Sequence, residues 1–436
     1  MRLKTWTALA AALTLPFLHG CGDDNAQKGF VRIVNATSEY TSLDLYTLNS
    51  SGGNDLVVSG TAAGAASAYQ DIDKGSYTFE VKGSTSAGAA TPAPGSINKG
   101  DHFTVVTYLS GNATKTQFLS DEENSPASNN AKLRIFNAAT SEAASVDVYL
   151  TANACNALAV TDTAFSTAVT GLQSAYTQVN AAGAGSTWNV CVFATGDQAT
   201  LLLDIPALTL KNQEIATLIL THTAGGVLLN GAVLDQQGAY TTNANSIARV
   251  RVVADGAVHA PVSVTAGTTA LASAAPSPSV GNYVTVAVGA FSPTISVGAG
   301  TASGFTLPAI VAGNDYTLLV TGTAGTPAAT LITDVNTPST STTNTVKVRV
   351  VNGLNLTNGV VSATVNGGSV GSAAFGTASA YTTILPSSGT STVVSGITTG
   401  TNPPDLTTAT FSAGRVYTVF IYGDSTAPVL LPHIDR

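Results

Sequence analysis

The residues that come closest to a catalytic motif are a serine between glycines in the last quarter of the chain. Gly367-Gly368-Ser369-Val370-Gly371 fits the G-x-S-x-G pattern of serine hydrolases, in which a strand-to-helix elbow exposes the serine beside an oxyanion hole. Residues 372–376 show no amphipathic helical spacing, and Asn366-Gly367 is a strong hairpin signal. The sequence therefore predicts a turn at this point and not a nucleophile.

The histidines form no catalytic or metal-binding pattern. Those downstream of residue 20 are His102, His222, His259 and His433. A general base or a zinc ligand needs partners at a defined reach, and the sequence contains no H-E-x-x-H and no close histidine pair. We therefore expect surface or strand positions for these histidines, and we expect no catalytic residues, no metal site and no cofactor.

Repeated aspartates and arginines raise the possibility of ion binding. Similar segments open on an arginine and close on an aspartate; the arginines are Arg32, Arg134, Arg251 and Arg349, and the aspartates are Asp121, Asp235, Asp334 and Asp435. Calcium takes six or more oxygens, usually from closely spaced acids, and the nearest approaches are only Asp71-Ile72-Asp73 and Asp121-Glu122-Glu123. We expect the aspartates to accept backbone hydrogen bonds at strand ends. Each arginine should lay its stem on a sheet and pair with an acid of its own module.

Two cysteines lie downstream of position 21, Cys155 and Cys191. An even pair in an exported protein predicts a disulfide. The alternatives are two buried free thiols or a redox pair, although the C-x-x-C spacing that lowers a thiol pKa is absent.

The first residues have the features of an export signal. Arg2 and Lys4 precede an apolar stretch, residues 6–18, that is too short to span a bilayer. Leu18-His19-Gly20-Cys21 resembles a bacterial lipobox, with His19 where a small residue is usual. The resemblance implies a signal peptide at 1–20, a lipidated Cys21 and a tether at 21–28, and the alternative is secretion with an unmodified Cys21. Because Gly22 follows where an aspartate would suggest inner-membrane retention, we expect the outer membrane of the cell envelope.

Composition limits the possible partners. Only 10% of the residues are charged and the formal net charge is −8. No basic run is present to neutralise phosphates, which argues against nucleic acid. No later stretch approaches eighteen consecutive apolar residues, the minimum for a membrane-spanning helix.

Short apolar runs, several alternating with polar residues and separated by Gly, Ser, Asn and Asp, recur along the chain. This pattern predicts an all-β protein, with an antiparallel sandwich of about seven strands in each repeat. The repeats are four modules at residues 29–121, 131–235, 246–334 and 345–436, joined by polar linkers. At this size each module can bury a core of its own, so we expect an elongated string.

Four landmarks recur in the modules. Module 1 has Arg32-Ile33-Val34-Asn35, Leu43-Asp44-Leu45-Tyr46, Ser67-Ala68-Tyr69 and Gly100-Asp101-His102-Phe103-Thr104. With these motifs, about residues 29 to 436 resemble the bacterial family called domain of unknown function 4397. The resemblance implies immunoglobulin-like β-sandwich domains in exported, often lipid-anchored proteins, and it brings no catalytic residues. Module 3 departs most, with Ala254 in place of the asparagine and Val262-Ser263-Val264 in place of the D-x-Y strand.

The repeated tyrosines could be stacking platforms for sugars, but their strand context favours core packing with the hydroxyl bonded to backbone. Repetition without a reactive cluster predicts a non-enzymatic, lipid-anchored envelope protein that acts as a structural spacer or an adhesive binding rod. Its expected partners are the membrane, through the lipid anchor, and envelope polymers or other surface proteins. The alternative is a hydrolase, or the accessory subunit of an envelope enzyme, with an inter-domain site.

Overall fold

The computed structural model describes residues 27–37, 40–48, 54–84, 90, 93–110, 113–338, 344–354, 359–397, 406–424 and 427–436. The predicted signal peptide at 1–20 and the lipidation candidate Cys21 lie outside these residues, as does most of the tether at 21–28. The described residues form an all-β structure, which confirms the predicted fold class, with two short 3-10 helices at Cys155–Ala157 and Ala257–His259. Within them, no helix reaches the length and apolarity that crossing a membrane requires.

The first two modules have similar series of strands. In module 1 they are β1 (Lys28–Asn35), β2 (Ser42–Leu48), β3 (Asn54–Ala62), β4 (Ala65–Ala66), β5 (Gln70–Asp73), β6 (Gly75–Gly83), β7 (Ala93–Ile97), β8 (His102–Ser110) and β9 (Ala113–Ser120). In module 2 they are β10 (Asn130–Asn137), β11 (Val146–Thr151), β12 (Ser166–Val169), β13 (Thr177–Asn180), β14 (Ser186–Ala194), β15 (Asp197–Leu210), β16 (Ile215–His222) and β17 (Leu229–Asp235), followed by β18 (Tyr240–Asn243).

The last two modules repeat this series. In module 3 the strands are β19 (Ile247–Gly256), β20 (Val262–Ala266), β21 (Thr269–Ala275), β22 (Ser279–Val280), β23 (Val284–Ala287), β24 (Thr294–Val297), β25 (Gly300–Ala302), β26 (Asp315–Gly322) and β27 (Pro327–Asp334). In module 4 they are β28 (Val346–Asn352), β29 (Val360–Val365), β30 (Gly368–Ala374), β31 (Thr382–Ile384), β32 (Ser391–Ile397), β33 (Leu406–Ala409), β34 (Val416–Asp424) and β35 (Ala427–Ile434).

Every module is a sandwich of two sheets with one strand order. In module 1 the first sheet has β4 and β5 as two segments of one edge, then β1, β8 and β9, and the second has the order β3-β2-β6-β7. Modules 2, 3 and 4 repeat both orders. We call the sheet that carries the repeated arginine the arginine sheet, and the other one the outer sheet.

The strand order differs in detail from the seven-stranded immunoglobulin arrangement of ABED and CFG sheets. The described residues form eight strand positions in modules 1, 3 and 4, one more than predicted, and module 2 has a ninth because β18 extends its arginine sheet. The first strand lies inside the arginine sheet and pairs in parallel with the seventh, as β1 with β8, β10 with β16, β19 with β26 and β28 with β34. All other strand pairs are antiparallel, as predicted.

Two layers of apolar packing follow from this order. Between its two sheets each module holds its own core of buried side chains, such as Ile33, Leu45 and Phe79 in module 1. A second layer lies between modules: the arginine sheet of module 1 packs on that of module 2 through residues such as Val106, Phe136 and Ile219. The arginine sheets of modules 3 and 4 pack in the same way.

The expectation of a string of separate modules was therefore wrong, because the modules associate face to face in two pairs. Contacts also join the pairs. The Thr223 hydroxyl of module 2 donates to the Gly313 carbonyl of module 3 at 2.9 Å, and the Asn336 amide donates to the Gly225 carbonyl at 3.1 Å. Residues 236–245, expected to be a linker, include β18, which pairs with β17.

Candidate functional site

The repeated arginines lie on the parallel strand pair of each module. In all four modules the arginine faces a threonine of the neighbouring strand, and its Nε donates to the threonine hydroxyl at 2.8–3.1 Å. The facing residues are Arg32 and Thr104, Arg134 and Thr217, Arg251 and Thr317, and Arg349 and Thr418. Equal register therefore puts the same polar pair at the same point of every arginine sheet.

The tyrosine of each Ser-x-Tyr landmark, which is Gly281-Asn282-Tyr283 in module 3, packs its ring against this guanidinium. The guanidinium carbon lies 4.5–4.8 Å from the ring centroids of Tyr69, Tyr176, Tyr283 and Tyr381. This geometry is a cation–π contact. The hydroxyls of Tyr69 and Tyr283 each donate to the closing aspartate of their own module at 2.6 Å, not to backbone as expected. These rings are part of the internal packing of the arginine sheets.

The predicted acid partner in the same module is present for Arg32, which lies 3.9 Å from Asp121 Oδ2, and for Arg251, which lies 3.7 Å from Asp334 Oδ2. The shorter contacts at the far end of each guanidinium, however, reach the paired module. Arg32 donates to the carbonyls of Gly238 and Asp235, at 2.6 and 2.9 Å, and Arg134 reciprocates by donating to the Ser120 carbonyl at 3.2 Å. The exchange is reciprocal, as in a two-fold interface. Its physical cause is the face-to-face packing, because the nearest acceptors at the sheet centre belong to the other module.

In modules 3 and 4 the reciprocal contact joins full charges. Arg251 donates to Asp435 Oδ1 at 2.5 Å, and Arg349 donates to Asp334 Oδ1. These four side chains are at most 2% exposed. Burial alone would raise the pKa of Asp435, but the charge of Arg251 and hydrogen bonds from His433, Arg251 and Thr418 outweigh it and lower the pKa. A buried ion pair of this kind holds two surfaces in one register.

The cysteines form the predicted disulfide between Cys155 and Cys191, with a Cα–Cα distance of 5.4 Å. Cys191 lies in β14 of the outer sheet, and Cys155 lies in the 3-10 helix after β11. The bridge packs with Tyr149 and Phe193 in a small apolar cluster separate from the main core of module 2.

The serine of the G-x-S-x-G motif is in a strand. Ser369 belongs to β30, and β30 follows a two-residue turn in which Asn366 and Gly367 have φ values of 48° and 83°. Positive φ at both central residues is the type I′ hairpin geometry. The prediction of a turn is confirmed.

The histidines are dispersed, and none has a hydrogen bond to a serine hydroxyl among the described residues. His102 Nδ1 lies 3.0 Å from Glu122 Oε1, and His433 Nδ1 lies 3.4 Å from Asp435 Oδ1. His259 is exposed and comes nearest to a catalytic constellation, with Nε2 3.6 Å from Asp424 and Nδ1 3.1 Å from the backbone carbonyl of Ser277. The Ser277 hydroxyl, however, donates to the Ala260 carbonyl and accepts from the Gly256 amide.

The fourth histidine, His222, lies in a cleft of about 510 Å³ between modules 1 and 2. The lining consists of Ala36, Thr37, Ala63, Gly64, Thr221, His222, Thr223, Ala224, Asn230, Gly231, Ala232, Tyr240, Thr242, Asn243 and Ala244. Burial lowers the pKa of His222 and raises the pKa of Tyr240 to about 12, so both side chains are neutral near pH 7. His222 Nδ1 is buried without a hydrogen-bond partner in the described structure.

The equivalent place in the second pair is filled. Asp255 lies four residues after the repeated arginine of module 3, as Ala36 does in module 1. In the strand register, Gly423 of module 4 has the position that His222 has in module 2. There the Gly423 amide donates to Asp255 Oδ1 at 2.8 Å across the pair. Burial raises the pKa of Asp255 to about 7, the Gly423 hydrogen bond lowers it, and the nearby Asp424 raises it further.

We expect Asp255→Asn to stabilise the protein at pH 8 but not at pH 4. Because the pKa of Asp255 is higher in the folded state than in the unfolded state, ionising this side chain destabilises the fold. The contribution of Asp255 to the free energy of unfolding is therefore highest below about pH 4 and falls as the pH rises through about 7. A pKa shift from 3.8 to about 7 corresponds to a loss of at most about 4 kcal/mol in the free energy of unfolding. Urea unfolding followed by circular dichroism at both pH values measures the difference. Asp55→Asn, at an exposed site in β3, is the control, and an equal gain for Asp255→Asn at both pH values would contradict the expectation.

Sequence reasoning missed the cleft for a physical reason. Its walls come from the last strands of module 2 and from the β3–β4 turn of module 1, which are far apart in the chain and meet only because the arginine sheets pack together. One signal was present: Tyr240-Thr241-Thr242-Asn243 has the β-branched and aromatic composition of a strand. Within the described part of the chain, no three His, Cys, Asp or Glu side chains are grouped as a metal site requires.

Solved structures with detectable similarity are distant. A protein from Bacteroides uniformis, provisionally described as a cell adhesion protein, is 10% identical with a TM-score of 0.20, over 48% of this chain and 99% of that chain. The Bacillus anthracis TIE protein is 9% identical with a TM-score of 0.15, over 91% of this chain and 68% of that chain. CBMbc (family CBM26) from Eubacterium rectale Amy13K, in complex with maltoheptaose, is 8% identical with a TM-score of 0.15, over 49% and 97%. At these TM-scores the similarities support no conclusion about this chain.

No curated protein matches the sequence. A family model does: the one described as Domain of unknown function (DUF4397) matches residues 29–149, which comprise module 1 and the opening of module 2. Over residues 29–149 this match agrees with the resemblance that the landmarks of module 1 suggested.

Proposed function

We propose that this protein is a non-enzymatic lipoprotein of the cell envelope, anchored through an acylated Cys21, whose modules serve as a structural spacer and adhesive binding rod. The observation that carries the proposal is the reciprocal arginine contact. The arginine repeated in every module forms hydrogen bonds or an ion pair with the paired module. We infer that the repeated side chains serve the association of the modules and not catalysis.

The disulfide and the low share of charged residues, 10%, support an exported protein. Disulfides persist in oxidising compartments such as the periplasm and the cell surface. Face-to-face pairing stiffens the assembly, because each pair shares an apolar layer and buried polar contacts. A stiff support held at one end suits a spacer that presents its surface at a distance from a membrane.

The alternative, a hydrolase or enzyme accessory subunit, has less support. A hydrolase of the serine type requires a histidine in contact with both a serine hydroxyl and an acid. His259 approaches an acid, but the neighbouring Ser277 hydroxyl is buried and already hydrogen bonded. Turnover of a small-molecule substrate by the purified protein would establish this alternative.

The anchor is tested by replacing Cys21 with alanine. Wild-type protein should incorporate labelled palmitate and sediment with outer-membrane markers, whereas Cys21→Ala should lose the label and appear in the soluble fraction. Several acyl chains are needed for stable anchoring, since each buried CH₂ contributes about 0.8 kcal/mol. The double variant Cys155→Ala/Cys191→Ala is the control and should retain the label. Labelled Cys21→Ala, or unlabelled soluble wild type, would refute the anchor, and inner-membrane sedimentation would refute the outer-membrane assignment.

A further inference from the structure

The cleft between modules 1 and 2 is a site that the repeat does not explain. At the other end of this pair the interface is closed: the Tyr108 hydroxyl donates to the Gly171 carbonyl at 3.2 Å, and Leu109 forms a β-bridge with Ala139. In the second pair the equivalent position is filled by the Asp255–Gly423 contact. The opening is therefore not repeated at either of these two positions.

A strand that has no counterpart in the described residues of the other modules forms one wall of this cleft. β18 adds a fifth strand to the arginine sheet of module 2, beyond β17. It brings Tyr240, Thr242 and Asn243 to the cleft. The main core of module 2 contains none of these three side chains. The Tyr240 ring packs in part against the apolar layer between modules 1 and 2, and it also lines the cleft together with Thr242 and Asn243.

The lining has a defined chemistry. It contains no Asp, Glu, Lys or Arg among its described residues, and its polar groups are hydroxyls, amides, an imidazole and a phenol. An ionised ligand would lose hydration in this cleft without meeting an opposite charge, which is costly. The ligand that fits is uncharged.

The same lining also disfavours a purely apolar ligand. The Tyr240 hydroxyl and His222 Nε2 line the cleft and have no hydrogen-bond partner within the described structure. Covering these groups with an apolar molecule would leave them unsatisfied, at a cost of about 1–3 kcal/mol each. A ligand with several hydroxyl groups would satisfy them, and the alanines, glycines and the Tyr240 ring offer apolar contact to the faces of its rings.

We propose that this cleft binds an uncharged saccharide of one or a few sugar rings. Its volume of about 510 Å³ lies within the range of small-ligand sites. His222 offers Nε2 to the ligand as a donor or an acceptor, according to its tautomer, and Tyr240 contributes a hydroxyl beside its ring. The proposal deepens the binding role proposed above, and it gives that role a ligand class and a location.

The test uses the purified protein with glucose, galactose, N-acetylglucosamine, maltose and cellobiose as neutral probes, and with glucuronic acid and glucosamine as charged ones. Saturation-transfer NMR detects contact, and titration calorimetry measures affinity. At least one neutral sugar should bind, and Tyr240→Phe should weaken it about tenfold, the effect of one lost hydrogen bond. Ala63→Trp, which adds a bulky ring at an exposed position of the lining, should abolish binding.

Tyr46→Phe is the matched control, because Tyr46 lies in β2 of the outer sheet and is not part of the cleft; it should bind as wild type does. Circular dichroism establishes that each variant is folded, and Trp188 fluorescence provides a second check for the two tyrosine variants. The proposal is overturned if no neutral probe binds, if Ala63→Trp retains wild-type affinity, or if a charged probe binds as tightly as the neutral ones. These outcomes leave the Cys21 anchor and the spacer role standing, since labelling and fractionation test those separately.

Discussion

Replacing Arg251 with alanine is expected to lower the free energy of unfolding of modules 3 and 4 by about 3–5 kcal/mol. Arg251 is fully buried and contacts Asp435 across the pair, with Asp334 Oδ2 3.7 Å away. Removing one partner of a buried ion pair leaves an uncompensated charge in a low-dielectric interior, and that residual charge causes most of the loss. The interface should therefore weaken as a unit.

The measurement must separate the two pairs, because a chain of several modules does not unfold in one two-state step. Trp188, in β14, is the only tryptophan downstream of residue 20 and reports on module 2. In urea titrations the Trp188 transition should stay in place in Arg251→Ala, while part of the circular dichroism transition moves to lower urea. The control is Arg415→Ala, an exposed arginine of module 4, with an expected change within about 0.5 kcal/mol.

A double variant tests whether Arg251 and Asp435 stabilise the interface together. Because Arg251 and Asp435 contact each other, Arg251→Ala/Asp435→Ala should cost less than the sum of the single variants, by about 0.5–3 kcal/mol. Additive losses would mean that each side chain stabilises its own module independently. That result would contradict the view that the pair acts across the interface.

The second large effect is expected from Cys155→Ala/Cys191→Ala. The bridge closes a loop with a sequence separation of 36 residues, and the chain-entropy model gives a stabilisation of about 4 kcal/mol for a loop of this length. Here the Trp188 transition should move to lower urea, because Trp188 and Cys191 share β14, while modules 3 and 4 should keep their midpoint. The two predictions thus affect opposite halves of the molecule.

Reduction of the wild-type protein provides the control for this second variant. In dithiothreitol the Trp188 midpoint of wild type should fall toward that of the double variant, whose own midpoint should not respond to the reductant. A wild-type midpoint that is the same with and without reductant would show that the bridge contributes little to the folded state.

The repeat and its strand pairing were largely predictable from the sequence. Landmarks at equal spacing imply equal pairing, and the structure places each landmark arginine opposite a threonine at one register in all four modules. The hairpin at Asn366-Gly367 and the disulfide were also predicted, because turn residues and cysteine parity are local or compositional signals.

The pairing of modules was missed, although its signal was present. A strand with one covered face alternates, as β2 does with the burial pattern iBiBiBi, in which B marks a buried and i a partly buried residue. A strand covered on both faces is buried along its length; β1 has the pattern iBiBBBBB and β28 has BiBBBBB. In the sequence the signal is only that adjacent apolar residues, Ile33-Val34 and Val350-Val351, interrupt the alternation. Such a pair indicates a second covering surface, but it does not say which part of the chain supplies it. Asp435 is 184 residues from Arg251, and no local rule joins them.

The reciprocal contact also bears on how this chain can be shortened. A fragment containing a single module would present an uncovered apolar sheet with a guanidinium at its centre, and would tend to associate with a second copy of itself. Fragments that keep residues 27–245 together, or 246–436 together, preserve both partners of every reciprocal contact. In practical terms, the natural unit for cutting or grafting this protein is one face-to-face pair, modules 1 and 2 or modules 3 and 4.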